Sequence, residues 1–270
     1  YQSLYANTTG TELTAVGYQA GIANTTGTRL TAIGYQAGLA NTTGVENTFV
    51  GRKAGLANTT AANNTVIGSF AFAANTTGAN NVAIGKSALT ANTEGGNNFA
   101  GGIQALDANT TGAENIGIGS NALGANTTAS NNVGIGGGAL STNTTGASNT
   151  AVGRSALNSN TTGDNNTAMG GYDIPGGIGG ALQTNTTGDS NTAYGVGALQ
   201  ANSTADDNTA VGKSALQANS TGGNLVAVGP VIPLLELLDI LNSRKATGHD
   251  AIRLVNRFAQ QYEDWDLIYK

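Results

Sequence analysis

Few residues in this chain have the type and the company that chemistry requires. The single histidine, His249, stands between Gly248 and Asp250, and there is no cysteine. A metal site needs several imidazole, thiolate or carboxylate ligands, and a nucleophilic triad needs an oriented base beside its nucleophile. His249 therefore reads as a capping or solvent-facing residue at a helix start. Gly85-Lys86-Ser87 and Gly212-Lys213-Ser214 imitate the end of a phosphate-binding loop, but the glycine required five residues before Gly85 and Gly212 is replaced by Asn80 and Asp207. Glu263, Asp264 and Asp266 read as a solvated helix face. Asp206 and Asp207 could attract a cation weakly at a turn, although the Gly-Gly-x-Gly-x-Asp calcium nonapeptide does not occur. No catalytic, cofactor or metal site is expected, and the chain reads as a non-enzyme.

One modification signal does recur. Asn7, Asn24, Asn41, Asn58, Asn75, Asn109, Asn126, Asn143, Asn160, Asn185, Asn202 and Asn219 each open an Asn-x-Ser/Thr sequon, whereas Asn92 is followed by Thr93-Glu94. They are candidate glycosylation sites if the host secretes through an Asn-glycosylating pathway. Turn chemistry explains the same residues without sugar.

These asparagines recur every 17 residues from Asn7 to Asn160, and the series resumes at Asn185, Asn202 and Asn219. So strict a period marks a solenoid, in which one rung cannot bury its apolar face alone. The consensus is Asn-Thr-Thr-Gly-x-x-Asn-Thr-Ala-Val-Gly-x-x-Ala-Leu-x-Ala. Its eleventh column is glycine in every rung: Gly17, Gly34, Gly51, Gly68, Gly85, Gly102, Gly119, Gly136, Gly153, Gly170, Gly195, Gly212 and Gly229. That recurrence predicts a positive φ or a close approach to the next rung. The seventh column is asparagine in ten rungs, at Asn47, Asn64, Asn81, Asn98, Asn115, Asn132, Asn149, Asn166, Asn191 and Asn208, with Leu13, Leu30 and Leu225 towards the ends. Asparagines stacked at one depth are expected to form an amide ladder.

The eighth to tenth columns predict a strand. Val or Ile dominates the tenth, Thr, Val, Ile or Phe the eighth, and Ala or Gly the ninth, which faces the other way. The Ala-Leu pair, as in Ala88-Leu89 and Ala156-Leu157, predicts a second short strand, again apolar on both sides. A single roll has one interior, so strands apolar on both faces call for self-association. The expected fold is an all-β solenoid, a parallel β-roll of thirteen 17-residue rungs over 1–229, a rod of roughly 60 Å at ~4.8 Å per rung. Asn-Thr-Thr-Gly is read as a turn whose asparagine bonds the backbone two residues on and whose glycine takes φ > 0.

One insertion interrupts the array near 171–178, the spacing from Asn160 to Asn185 being 25 residues. Insertions in solenoids loop out on one face, so Tyr172, Asp173 and Ile174 are a candidate binding loop beside the plainer reading of a tolerated surface loop. Beyond Gly229 the language changes. Residues 230–270 are expected to form a short helical tail, a cap or an oligomerisation element, with Pro233 in the first turn of its first helix.

Composition narrows the function classes. Only 10% of residues are charged and 41 of 270 are glycine, unlike an ordinary globular domain or a highly charged disordered chain. A net charge of −5 with scattered Lys and Arg argues against nucleic acid as a partner. No run of about 18 apolar residues predicts a membrane span. Tyr1 is not an initiator, so a processed chain or a fragment is expected. Absence of cysteine is compatible with an extracellular bacterial or viral protein.

At Asn149 to Ala156, at Asn208 to Ala215 and at Asn81-Val-Ala-Ile-Gly-Lys-Ser-Ala88 the chain resembles the head repeats of trimeric autotransporter adhesins, the YadA-like head, and similar arrays in phage tail fibres. The resemblance covers about residues 1–229, with a rung longer than that family's. It implies a left-handed β-roll, a homotrimer, and an extracellular, cell-surface or virion fibre attaching to a host-surface glycan or matrix protein. A head-to-tail structural filament is the alternative. Ice binding by threonine ranks such as Thr8, Thr25, Thr42 and Thr59 is a weaker one. Glycan degradation is weaker still.

Overall fold

The structure, a computed structural model, describes residues 2–173 and 175–229. It is an all-parallel β-solenoid. Thirteen three-residue strands supply one strand per rung: β1 Thr14–Val16, β2 Thr31–Ile33, β3 Thr48–Val50, β4 Thr65–Ile67, β5 Val82–Ile84, β6 Phe99–Gly101, β7 Ile116–Ile118, β8 Val133–Ile135, β9 Thr150–Val152, β10 Thr167–Met169, β11 Thr192–Tyr194, β12 Thr209–Val211 and β13 Val226–Val228. They pair in sequence order in a single sheet, and the register follows the 17-residue period, Thr14 opposite Thr31 and Val16 opposite Ile33. The insertion leaves that register intact, because Thr167 still faces Thr192. No helix occurs among the described residues, and the expected helical tail over 230–270 lies outside them.

Alternation of side chains along each strand decides what is buried. The middle residue turns inward: Ala83, Ala100, Ala151 and Ala168 are fully buried. Its two neighbours face out, and Val or Ile of the tenth column remains exposed in most rungs. The interior is completed by the fifteenth column, where Leu89, Leu106, Leu123, Leu140 and Leu157 are inaccessible to solvent. Small inward residues on the strand leave room for these leucines in the opposite wall.

The Ala-Leu pair forms no second strand. It lies in a turn, with φ of +51° at Leu89 and +49° at Leu157, so both members of each pair reach the interior. Left-handed backbone costs an L-residue roughly 1–2 kcal/mol, and burial of the leucine side chain offsets it by a comparable amount, roughly 1.5–3 kcal/mol. Apolar residues on two faces are thus confined to the β-strand itself, with one face in the core and the other in solvent.

The eleventh-column glycines take positive φ, except Gly170 at the start of the insertion. At Gly34, φ is +134° and an added Cβ would stand 2.5 Å from the Gly51 carbonyl oxygen one rung on, so both demands operate at once. The glycine ending Asn-Thr-Thr-Gly differs from expectation. Gly27 has no positive φ; a Cβ there would lie 2.5 Å from the Gly44 carbonyl oxygen and from Oδ1 of Asn24, so close stacking alone selects the small residue.

Candidate functional site

Two columns of asparagine run through the rod, and each closes a different set of bonds. In the first column, Nδ2 of each asparagine donates to Oδ1 of its counterpart one rung earlier, from Asn24 to Asn7 through Asn219 to Asn202, in twelve successive bonds of 2.8–3.3 Å. The second hydrogen of Nδ2 goes to the carbonyl three residues on, as from Asn126 to Ala129 at 3.0 Å, rather than to the backbone two residues on.

The seventh column works mainly between side chain and backbone. Oδ1 of Asn115 accepts the Asn132 backbone N–H at 3.0 Å, and Nδ2 of Asn115 donates to the Ala129 carbonyl at 2.8 Å. The Ala129 carbonyl thus receives both columns and uses both of its lone pairs. The same pattern recurs along the column, starting at Asn47, whose Oδ1 accepts from Asn64 at 3.0 Å, and ending where Leu225 N–H bonds Oδ1 of Asn208 at 2.9 Å. No buried side-chain nitrogen or oxygen is left without a partner among the described residues.

This geometry places the sequons inside. Asn24, Asn41, Asn58, Asn75, Asn109, Asn126, Asn143, Asn160, Asn185 and Asn202 are fully buried, Asn219 nearly so, and only Asn7 in the first rung is half-exposed. A glycan on any buried Nδ2 would have to displace an inter-rung hydrogen bond and a neighbouring rung. Thr8, Thr25, Thr42 and Thr59 are also committed, since each hydroxyl donates to the second-column carbonyl of the next rung at 3.0–3.1 Å.

The first-column ladder is what reading the residues as a turn missed. Its signal was present: an Asx turn accepts Asp, Ser or Asn, yet all thirteen first-column positions hold asparagine. An amide supplies two donor hydrogens and an acceptor, so it bonds the turn carbonyl and both neighbouring rungs at once, which a carboxylate or a hydroxyl does not.

Three of the remaining carboxylates line up on successive rungs. Asp206 uses Oδ1 to accept the Asp189 backbone N–H at 2.8 Å, and Asp189 does the same for Asp164 at 2.7 Å, so these carboxylates serve the stacking of rungs. Lys86 and Lys213 follow column glycines on separate rungs. Nζ of Lys213 lies 3.4 Å from Oδ2 of Asp173. No group of three His, Cys, Asp or Glu that could hold a metal occurs among the described residues, and His249, Glu263, Asp264 and Asp266 lie outside them. Burial pushes the Asp107 carboxyl above the usual carboxylate range, opposed in part by backbone N–H groups and Gln104.

The insertion is a small hairpin in which Asp173 and Ile178 form an antiparallel bridge. It lies back on the rod: Arg154 stands 5.7 Å from the centre of the Tyr172 ring, and Ile178 covers Gly197, where a side chain would collide with it. Tyr172 and Asp173 are thus held against neighbouring rungs, and Ile174 lies outside the described residues.

What the rod presents most continuously is the outward face of the sheet. The eighth and tenth columns carry no charged residue in any of the thirteen rungs. Ile84 is 42% exposed, Phe99 38% and Ile118 39%, on successive or nearby rungs. A face this long and free of charge, with an apolar row along its tenth column, exceeds the scattered apolar residues of an ordinary surface. No helix of the described residues is long and apolar enough to cross a membrane. No family model, curated protein or solved structure matches the chain.

Proposed function

We propose that this chain is the repeat region of a non-enzymatic extracellular fibre, an adhesin head or tail-fibre shaft, that attaches its bearer to a host-surface glycan or a matrix protein. The observation that carries the reading is the outward face of β1 to β13, uncharged throughout and apolar along its tenth column. Such a face is stable in water when covered, and a partner that covers all of it must share its period. Three rods packed side by side through this face, each a left-handed coil as the resemblance to trimeric autotransporter heads implies, meet both conditions. The attachment role rests on that resemblance. The lateral surface left outside such a trimer, including the hairpin with Tyr172, is the part offered to a ligand.

The test is binding of the assembled 1–270 chain to immobilised glycans and matrix proteins, with negative-stain images of the same sample. Discrete rods that bind at least one surface at levels above a scrambled-repeat control support the reading. Discrete rods that bind none remove the attachment role, and long filaments move the assignment to a head-to-tail structural fibre.

A further inference from the structure

The outward face is not uniform along the rod. The eighth column holds threonine in β1 to β4 and again in β9 to β12, but Val82, Phe99, Ile116 and Val133 in the four central rungs β5 to β8. Beside them the tenth column supplies Ile84, Ile118 and Ile135. The one gap, Gly101, is covered from within the chain, since Cε1 of Phe99 lies 3.2 Å from the place a Cβ would take. Ile103, 54% exposed, carries the apolar surface round the following turn. The centre of the rod is therefore wholly aliphatic and aromatic on its outward face, and most of its flanking rungs alternate hydroxyl with hydrocarbon.

We propose that a second copy of this chain docks on this face with its binding energy concentrated in rungs β5 to β8, the threonine rungs on both sides acting as a weaker, polar rim. The proposal rests on the self-association proposed above and adds where its strength lies. Thirteen rungs at ~4.8 Å and two columns about 13 Å wide with their side chains give a face of roughly 800 Å², the area each partner of a stable complex contributes. The central four rungs are about a third of it, the share of an interface that usually carries most of the energy. Lack of charge at both columns matches the core of such interfaces, where charged residues are depleted. The occupant must repeat at the spacing of the rungs to stay in contact from end to end, which a second rod does and an irregular globular partner does not. Flanking threonines keep the rods aligned by hydroxyl contacts, while the aliphatic centre supplies desolvation.

The test compares three full-length variants with the wild type by sedimentation over a range of concentrations, with circular dichroism and thermal melts to establish that each rod is folded. Ile116→Lys and Thr192→Lys place the same charge at the same column, in the centre and on the flank, and Phe99→Ala trims the centre without adding charge. Ile116→Lys is expected to weaken association at least about thirty-fold and Phe99→Ala about ten-fold, against less than about three-fold for Thr192→Lys. Equal weakening by the two lysines, or the greater effect at Thr192, overturns the central location while leaving self-association standing. A wild-type chain that stays monomeric at all concentrations overturns both.

Discussion

Phe49 fills the core space that a side chain at Gly55 would need: a Cβ added to Gly55 would fall on the Phe49 ring, and one added to Gly38 would stand 2.8 Å from its Cδ2. Elsewhere the ninth column is Ala, Val or Gly, and the fifteenth holds Leu or Phe except where glycine stands at Gly21, Gly38 and Gly55. At Gly21 the missing volume is supplied by Leu4 and by Leu30 of the seventh column, whose Cδ2 atoms lie 3.2 and 3.3 Å from the same hypothetical position. Each rung meets one volume requirement, from one of three columns.

This compensation makes a double-mutant cycle informative. Phe49→Ala should cost about 3–5 kcal/mol in urea unfolding, and Gly55→Leu alone should also destabilise through collision with the ring. Combining them restores the arrangement of the central rungs, so the double variant should be more stable than the less stable single one by at least about 1 kcal/mol. Additive losses would show that the two positions do not share that space.

The amide column predicts a gradient along the rod. Asn126 donates to Asn109 and Ala129 and accepts from Asn143, all within the interior. Asn126→Ala removes these three bonds, and its cost should be about 2–5 kcal/mol. Asn126→Asp should cost more, because a carboxylate cannot donate to Asn109. Asn7→Ala, at a half-exposed end with a single neighbour, should cost under about 1 kcal/mol. Chemical denaturation of the three variants decides it, and equal losses at Asn7 and Asn126 would contradict a buried, cooperative ladder.

Much of this architecture was legible because the chain repeats one environment thirteen times: the period, the rung count and the glycine column can be read by aligning the protein with itself. Which strand face turns inward was not. In Thr-Ala-Val the larger residues face out, and the small one faces in because leucine of the fifteenth column occupies the interior opposite. Nor was the turn at Leu89 visible, since a leucine at positive φ contradicts its local preference and is stabilised only by the packed rung around it. Local propensity describes one residue; stacking constrains thirteen copies together.

Burial of the sequons leads to a modification prediction. Secreted from a host that attaches sugars to Asn-x-Ser/Thr, the folded rod should carry no glycan at Asn24 through Asn202, by intact mass and by peptide mapping after enzymatic deglycosylation. Sugar at several of these positions would falsify the closed stacking of the first column.

Asp107 gives a pH dependence with a definite sign. Its carboxyl titrates above the usual carboxylate range because of burial, so the folded state holds that proton more tightly than the unfolded chain does. The associated stability is fully present below the unfolded value and declines as pH rises through the raised one. Asp107→Asn should therefore melt higher than the wild type at pH 7, with the difference disappearing in the acid range. Melts from pH 3 to pH 8 test this, and a difference that persists unchanged in acid would assign the effect to something other than titration.

Coverage of the sheet's outward face by copies of the same chain would be read directly from mass in solution. Light scattering on the 1–270 chain is expected to give three times the 26.8 kDa of one chain, in particles that appear as discrete rods. A mass of one chain, held up to high concentration by folded protein, would leave that face uncovered and rule out self-association.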